Sequence, residues 1–383
     1  MAEAPLISAI IEPVGGHGGM NYYDYGLCKG LASAGVKPVL YTCDSTVIDR
    51  ARPFETRLLF RGIWGNGGKL GRGLKYLRGF VLSLRDARKR GCRIAHFHFF
   101  HTTALELAMI TLARLYGLKT VITVHDVESF SKGSSKRLAK RVFGGADLLI
   151  VHNRISLEAL AAIIPSALSR AKVIPHGNYM DFVKPVSREE AFKKIGLDAA
   201  GPVLLFWGQI KKVKGLDILI SALPQVVKRF PGLKLVIAGK VWKDDFSVYG
   251  SAIEAHGLKD NVAAHIRYIP DEMAPYYFSA ADIVVLPYRK IYQSGVLLMA
   301  LSYGKAVVAS DLPGMTEIID DGVDGFTFRS EEPEDLARRV IEALSDKDAL
   351  KRVASAGLRK ATDGFSWARI GERTAEAYRG ILD

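Results

Sequence analysis

The 383-residue chain is predicted to be an α/β protein built from two doubly wound, Rossmann-like domains facing across a cleft. Three observations predict this. The length exceeds the roughly 250–300 residues at which a single core stops growing. Short apolar, β-rich runs alternate with helical patterns in both halves, which is the signature of parallel βαβ units. Several of these runs lead into loops rich in glycine or in basic residues, and open α/β sheets bind ligands at the carboxyl ends of their strands. With 49% apolar and 24% charged residues, the composition is that of an ordinary globular protein and excludes disorder.

In chain order, strands are expected over 6–14, 38–42, 94–100, 120–125, 148–152 and 173–175, and then over 203–207, 233–238, 263–268, 283–287 and 306–309. The first domain is placed at 1–183 and is completed by a C-terminal helix, 366–383, that packs back onto it. Residues 184–201, with Pro185, Gly196 and Gly201 around a short helix, are the expected linker, and 202–365 form the second domain. The chain shows no internal repeat and no low-complexity tract.

The net charge of +13 is unevenly spread. Residues 1–180 hold 25 Lys+Arg against 12 Asp+Glu, and the remainder holds 28 against 28. Within the first half, Lys69, Arg72, Lys75, Arg78, Arg85, Arg88, Lys89 and Arg90 face a single acid, Asp86, in a stretch where Leu70, Leu74, Leu77, Val81 and Leu84 recur at helical spacing. This is a basic amphipathic helix, with a second cluster at Lys132, Lys136, Arg137, Lys140 and Arg141. Its bland reading is a surface helix with its apolar stripe on the core. An anionic membrane surface is preferred to nucleic acid, because no interleaved aromatics or nucleic-acid motif accompany the charge. Cys28, Cys43 and Cys92 match neither a metal-ligand spacing nor a disulfide framework, so a reducing cytoplasm fits. No signal-peptide pattern and no run of roughly 20 apolar residues is present, so a soluble protein, peripheral on the inner membrane face, is expected.

Four strand-end loops carry candidate chemistry. Gly15-Gly16-His17-Gly18-Gly19 follows the first strand, where glycine lets backbone approach a ligand; a tight turn explains it equally well. The strand at 120–124 delivers His125, Asp126 and Glu128, which can bind a sugar, accept a proton or merely brace a loop. His96, His98 and His101 lie close by, and His96 and His98 share a face of their strand, which leaves metal binding open as an alternative that no acidic ligand pattern supports. In the second half, Gly208 to Gly215 presents Lys211, Lys212 and Lys214 before a helix whose Leu216, Leu219, Ile220 and Leu223 fall at helical spacing. Tyr288 to Val296 does the same, with Ser294 as N-cap and the N–H groups of Gly295 and Val296 as free donors at a positive helix end. Two cationic strand-to-helix loops in one domain point to a shared anion.

Gly208-Gln209-Ile210 with Lys214-Gly215, then Gln293-Ser294-Gly295-Val296, then Gly304-Lys305-Ala306-Val307-Val308-Ala309-Ser310-Asp311, resemble the nucleotide-sugar domain of family-4-like glycosyltransferases with the GT-B fold. Thr123-Val124-His125-Asp126 and the glycine loop (Gly16, Gly18, Gly19) resemble the acceptor domain of the same group. The resemblance implies transfer from a nucleoside diphosphate sugar, with Lys214 and the helix end at Gly295 holding the diphosphate alongside Gly208, Gln209, Lys211, Gly215, Tyr288, Gln293, Ser294 and Val296. Gln209 stands where many relatives have arginine, leaving Lys211 or Lys212 to substitute. Ile291 and Met299 stand where many have two glutamates. If configuration is retained, the donor diphosphate assists proton removal and His125 contacts the sugar. If it is inverted, Asp126 is the first candidate base, followed by Glu128 and His17. No cofactor or metal is expected to be required.

The resulting expectation is a glycosyltransferase acting on a lipid-linked or polysaccharide-precursor acceptor. Two competing readings are a dinucleotide-dependent oxidoreductase using Gly15–Gly19 and Asp44, in which Asn21 replaces the third fingerprint glycine, and a silent glycan- or lipid-binding protein.

Overall fold

The computed structural model describes residues 5–15, 19–46, 51–64, 68–125, 127, 136–242 and 245–383. The chain divides into two compact units, residues 1–177 with 365–383, and residues 178–364.

The first unit is a seven-stranded parallel sheet: β1 (Ile7–Ile11), β2 (Lys37–Cys43), β3 (Glu55–Phe60), β4 (Ile94–Phe99), β5 (Lys119–Val124), β6 (Leu148–Val151) and β7 (Ala171–Val173). Their order is β3-β2-β1-β4-β5-β6-β7, so the winding reverses between β1 and β4. Helices α1 (Gly19–Ser33), α2 (Lys69–Lys89), α3 (Ala104–Leu115), α4 (Lys136–Gly145) and α5 (Arg154–Ile163) connect them. All six residues of β4 are buried, as expected of a central parallel strand covered on both faces.

The second unit repeats the plan with six parallel strands: β8 (Val203–Trp207), β9 (Lys234–Ala238), β10 (Val262–His265), β11 (Ile283–Leu286), β12 (Ala306–Ser310) and β13 (Phe326–Phe328). The order β10-β9-β8-β11-β12-β13 puts its reversal between β8 and β11. Helices α6 (Arg188–Ile195), α7 (Leu216–Arg229), α8 (Ser247–Ala255), α9 (Ala274–Ala280), α10 (Gly295–Ser302), α11 (Pro313–Thr316), α12 (Pro333–Ser345) and α13 (Lys347–Gly364) complete it.

The stretch expected as a linker lies inside this unit. It forms α6, capped by Ser187 and ended by Gly196 in the left-handed region, and α6 packs on α9. Arg188 also forks onto Asp282 with bonds of 2.8 and 2.9 Å. The last helix, α14 (Trp367–Arg379), packs on α1 in the first unit. Glycine makes that contact possible: a Cβ on Gly30 would stand 2.0 Å from the Trp367 carbonyl oxygen, and one on Gly371 would stand 2.0 Å from the carbonyl carbon of Gly30.

Candidate active site

In the second unit, both cationic loops leave the strands that flank the reversal point. The Gly208 N–H donates to the Ala238 carbonyl at 2.9 Å, and Gly208 itself takes φ +103°. A 3-10 turn, Lys212–Lys214, then leads into Gly215 at φ +66° and the start of α7. A Cβ on Gly215 would stand 1.8 Å from the Pro287 carbonyl oxygen, so the first loop rests directly on the backbone of the second. Gly215→Ala combines that clash with a left-handed backbone and is expected to cost about 2 kcal/mol or more. Denaturant midpoints check this, and a loss below about 0.5 kcal/mol, the range of ordinary surface substitutions, would contradict the contact.

The two loops are further tied by Arg289. Its guanidinium forks onto Asp217 with bonds of 2.7 and 2.6 Å, donates to the Lys212 carbonyl at 2.9 Å and reaches Glu331 at 3.3 Å. Burial opposes ionisation of Asp217, but the Arg289 bonds prevail and hold its carboxyl below the usual range. Arg289 is thereby spent as a clamp, and the Lys214 ammonium lies at the loop junction, with Nζ 3.7 Å from the centroid of the Tyr288 ring. Tyr288 is buried and its hydroxyl has no hydrogen-bond partner, an orphan polar atom that suits a polar ligand. The Ser294 hydroxyl oxygen accepts from the Leu297 N–H at 3.2 Å, fixing the start of α10. The Val296 side chain comes within 3.8 Å of where a Gly208 Cβ would stand, which brings the two loops to one place. Gln209 is exposed and Gln293 half-buried; Lys211 lies 5.3 Å from the Trp242 ring centroid.

In the first unit, Gly16, His17, Gly18, Asp126 and Glu128 lie outside the described residues, and Gly19 opens α1. His125 belongs to a row of histidines across the carboxyl ends of β4, β5 and β6. His98 Nδ1 lies 3.0 Å from His125 Nε2, His125 Nδ1 lies 3.4 Å from His152 Nε2, and His152 Nδ1 lies 3.0 Å from the Ile174 carbonyl oxygen. Tyr23 sets its ring edge against His98, His125, His152 and His176. Burial, reinforced by the neighbouring imidazoles, holds His98 and His125 far below the ordinary value and His152 down to about 3. Both ring nitrogens of His125 are engaged inside the protein. The histidines bond in series rather than converging, and among the described residues no group of three His, Cys, Asp or Glu could hold a metal ion.

Glu12, a residue the sequence reading passed over, is 2% exposed just past β1, at the reversal point of the first sheet. Burial pushes its carboxyl up to about 7, against the 2.9 Å bond its Oε1 accepts from the Val14 N–H. The sign follows from proton counting. Between the unfolded value of 4.5 and about 7 the folded state holds a proton that the unfolded state has lost, so stability falls as pH rises through that window. Glu12→Gln should remove the effect, gaining about 3 kcal/mol relative to the parent at pH 8 compared with pH 4. Denaturation of both proteins at the two pH values tests it; an equal difference at both would refute the buried acid. A carboxylate at the end of an apolar strand, before Pro13, was the signal available in the sequence.

Asp44, the ribose-binding acid of the oxidoreductase reading, accepts the Gly62 N–H at 2.9 Å and serves as a loop brace.

Family models match both halves of the chain: glycosyl transferases group 1 over residues 187–360 and glycosyltransferase family 4 over residues 17–178. A D-inositol 3-phosphate glycosyltransferase of an Arthrobacter species is 27% identical over 391 residues, spanning 96% of this chain and 91% of that one. Sucrose-phosphate synthase from Thermosynechococcus elongatus has a similar structure, with TM-score 0.75 at 21% identity over 98% of this chain and 99% of its own. Anabaena HepE in complex with UDP and glucose gives TM-score 0.74 at 20% identity, over 98% and 100%. With both halves matched and the two parallel-sheet units in common, the chain belongs to the group 1 glycosyltransferases of the GT-B fold, enzymes that depend on a nucleotide sugar.

Proposed function

We propose that the protein transfers a glycosyl unit from a nucleoside diphosphate sugar, held by the Gly208–Gly215 and Tyr288–Val296 loops, to a lipid-linked or polysaccharide-precursor acceptor at an anionic membrane surface. The observation that carries the donor assignment is the meeting of two strand-to-helix loops at one reversal point, with Lys214 over the buried Tyr288 and the capped N-terminus of α10 beside them. Lys214 and the α10 amides neutralise the diphosphate as it leaves, which is where charge develops in the reaction. HepE, whose structure holds UDP and glucose, makes UDP the first nucleotide to try. No metal or cofactor is needed in this reading, because cationic side chains and amides do the neutralising.

In an inverting reaction the base comes from Asp126, Glu128 or His17. His125 is a weak candidate, since accepting a proton would bury a cation in the row of histidines. Thermal shifts with UDP, GDP, ADP and dTDP, followed by turnover of the matching sugars, test the assignment. A ligand at about 100 times its dissociation constant stabilises by about 2.7 kcal/mol. No shift with any nucleotide would end the donor assignment, and binding without transfer or hydrolysis would favour the silent-binder reading.

The membrane part rests on α2. Leu70 is 81% exposed and Leu74 62%, with Trp64 just before the helix at 46%, while Phe80, Leu84 and Ala87 are buried. The expected single stripe is therefore split: the C-terminal half of α2 packs on the core and the N-terminal half shows leucine to solvent, among Arg72, Lys75 and Arg78. No described helix is long and apolar enough to cross a membrane.

A further inference from the structure

A lysine side chain has many rotamers, and a cation that must meet a ligand at one place gains from having them restricted. Lys214 sits in the 3-10 turn Lys212–Lys214, and Arg289 of the other loop brackets that turn. The Arg289 backbone N–H donates to the Val213 carbonyl at 2.9 Å, its guanidinium donates to the Lys212 carbonyl at 2.9 Å, and the fork onto Asp217 holds the first turn of α7. The backbone that carries Lys214 is therefore fixed before and after it. The side chain then extends over the Tyr288 ring, with Nζ 3.7 Å from the centroid, well inside the roughly 6 Å at which a ring face attracts a cation. Tyr288 is held in turn: it is 1% exposed, and its carbonyl accepts the Ser330 hydroxyl at 3.3 Å.

The loop after β13 completes the arrangement and is strained in doing so. The Ser330 N–H donates to Asp311 Oδ1 at 2.9 Å, and the next residue, Glu331, accepts from Arg289 Nε at 3.3 Å. Glu331 is the one non-glycine residue with positive φ, +65°, among the described residues. A Cβ is unfavourable in that region, and the Glu331 side chain is 63% exposed, so burial gives no reason to keep it where glycine would fit. What glutamate has there and glycine lacks is the carboxylate on Arg289. Strain of this kind persists where the surroundings enforce it, and it gathers at functional sites.

We infer that Tyr288 and Arg289 are positioning residues that preorganise Lys214, the ring orienting its ammonium and the guanidinium fixing its backbone, and that Glu331 keeps a strained conformation to hold Arg289 in that role. The inference rests on the transferase reading for the use of Lys214 and not for its placement.

NMR of protein carrying carbon-13 lysine reads the placement without turnover, with Lys214→Ala identifying the signal. The Lys214 side-chain protons should be shifted upfield by the ring current, the shift should survive in Tyr288→Phe, and it should vanish in Tyr288→Leu. Absence of the shift in the parent, or its survival in Tyr288→Leu, would overturn the proposal. In turnover, Tyr288→Leu should lower kcat about three- to thirtyfold, the worth of one cation–ring contact, and Tyr288→Phe should recover most of that loss. With Lys214 already replaced by alanine, Tyr288→Leu should add almost nothing; an equal loss in both backgrounds would mean general packing and would also overturn it. Glu331→Gly should hold or raise the denaturant midpoint while lowering kcat about two- to fivefold, the scale of a single exposed ion pair. A lower midpoint, or an unchanged rate, would overturn the part given to Glu331. UDP binding separates this proposal from the reading beneath it. A protein whose Lys214 lies on the ring but which neither responds to UDP nor transfers sugar loses the transferase reading alone, and an active transferase with an unshifted Lys214 loses the positioning proposal alone.

Discussion

Replacing Lys214 by alanine is expected to lower kcat for glycosyl transfer by about 10²–10³-fold, the cost of removing one preorganised group that stabilises charge in a transition state. Lys211 and Lys212 belong to the same loop, but Lys212 is exposed and Lys211 is drawn toward Trp242. Arg289 is committed to Asp217 and Glu331. Lys214 is thus the described cation at the loop junction that an arriving diphosphate can recruit from a weak partner, a ring face worth about 0.5–2 kcal/mol. Because the leaving group carries more charge than the bound donor, the loss should fall on kcat more than on KM. Lys214→Arg retains the charge and should recover part of the rate. Activity of Lys214→Ala within about threefold of the parent would remove Lys214 from the mechanism, whereas equal loss in both variants would point to a requirement for its geometry.

The central strands were legible because their chemistry is uniform. Strands such as Ile283–Leu286 and Val203–Trp207 are continuous apolar runs, as burial on both faces demands. The strands that escaped notice, Glu55–Phe60 and Phe326–Phe328, are sheet edges: the first carries Glu55 and Arg57 and is only partly buried, and the second is three residues long. Pro185, Gly196 and Gly201 punctuate the stretch read as a linker around a short helix, and what they could not say is that this helix packs on α9, with Gly196 as its C-cap. Of the site, the loops around Lys214 and Ser294 were readable as local patterns. The clamp between Arg289 and Asp217 and the row through His98, His125 and His152 were not, since they join residues from different strands and loops. His96 and His98 could be placed on one face by alternation, but nothing local says that His125 and His152 continue the row.

Arg72→Glu, Lys75→Glu and Arg78→Glu together are expected to reduce partitioning onto anionic vesicles by more than 100-fold at low salt. Each basic residue near such a surface contributes about 1 kcal/mol, so merely neutralising three would cost about 3 kcal/mol, and reversing them adds repulsion. The exposed leucines of the same N-terminal half make a separable contribution. Leu70 and Leu74 are held in water in the free protein, and a fully buried leucine gains about 1.5–3 kcal/mol. Leu70→Ser with Leu74→Ser should therefore weaken binding by a further factor of ten or more, and this loss should persist in high salt, where the charge effect is screened. Neither set touches the packed residues Phe80, Leu84 and Ala87, so folding should be preserved. Sedimentation with vesicles of anionic and of neutral lipid separates the two terms. If the charge-reversed protein binds anionic vesicles as the parent does, the basic face of α2 is only solvation. If the serine variant binds equally well, the exposed leucines do not enter the bilayer and the contact is electrostatic alone.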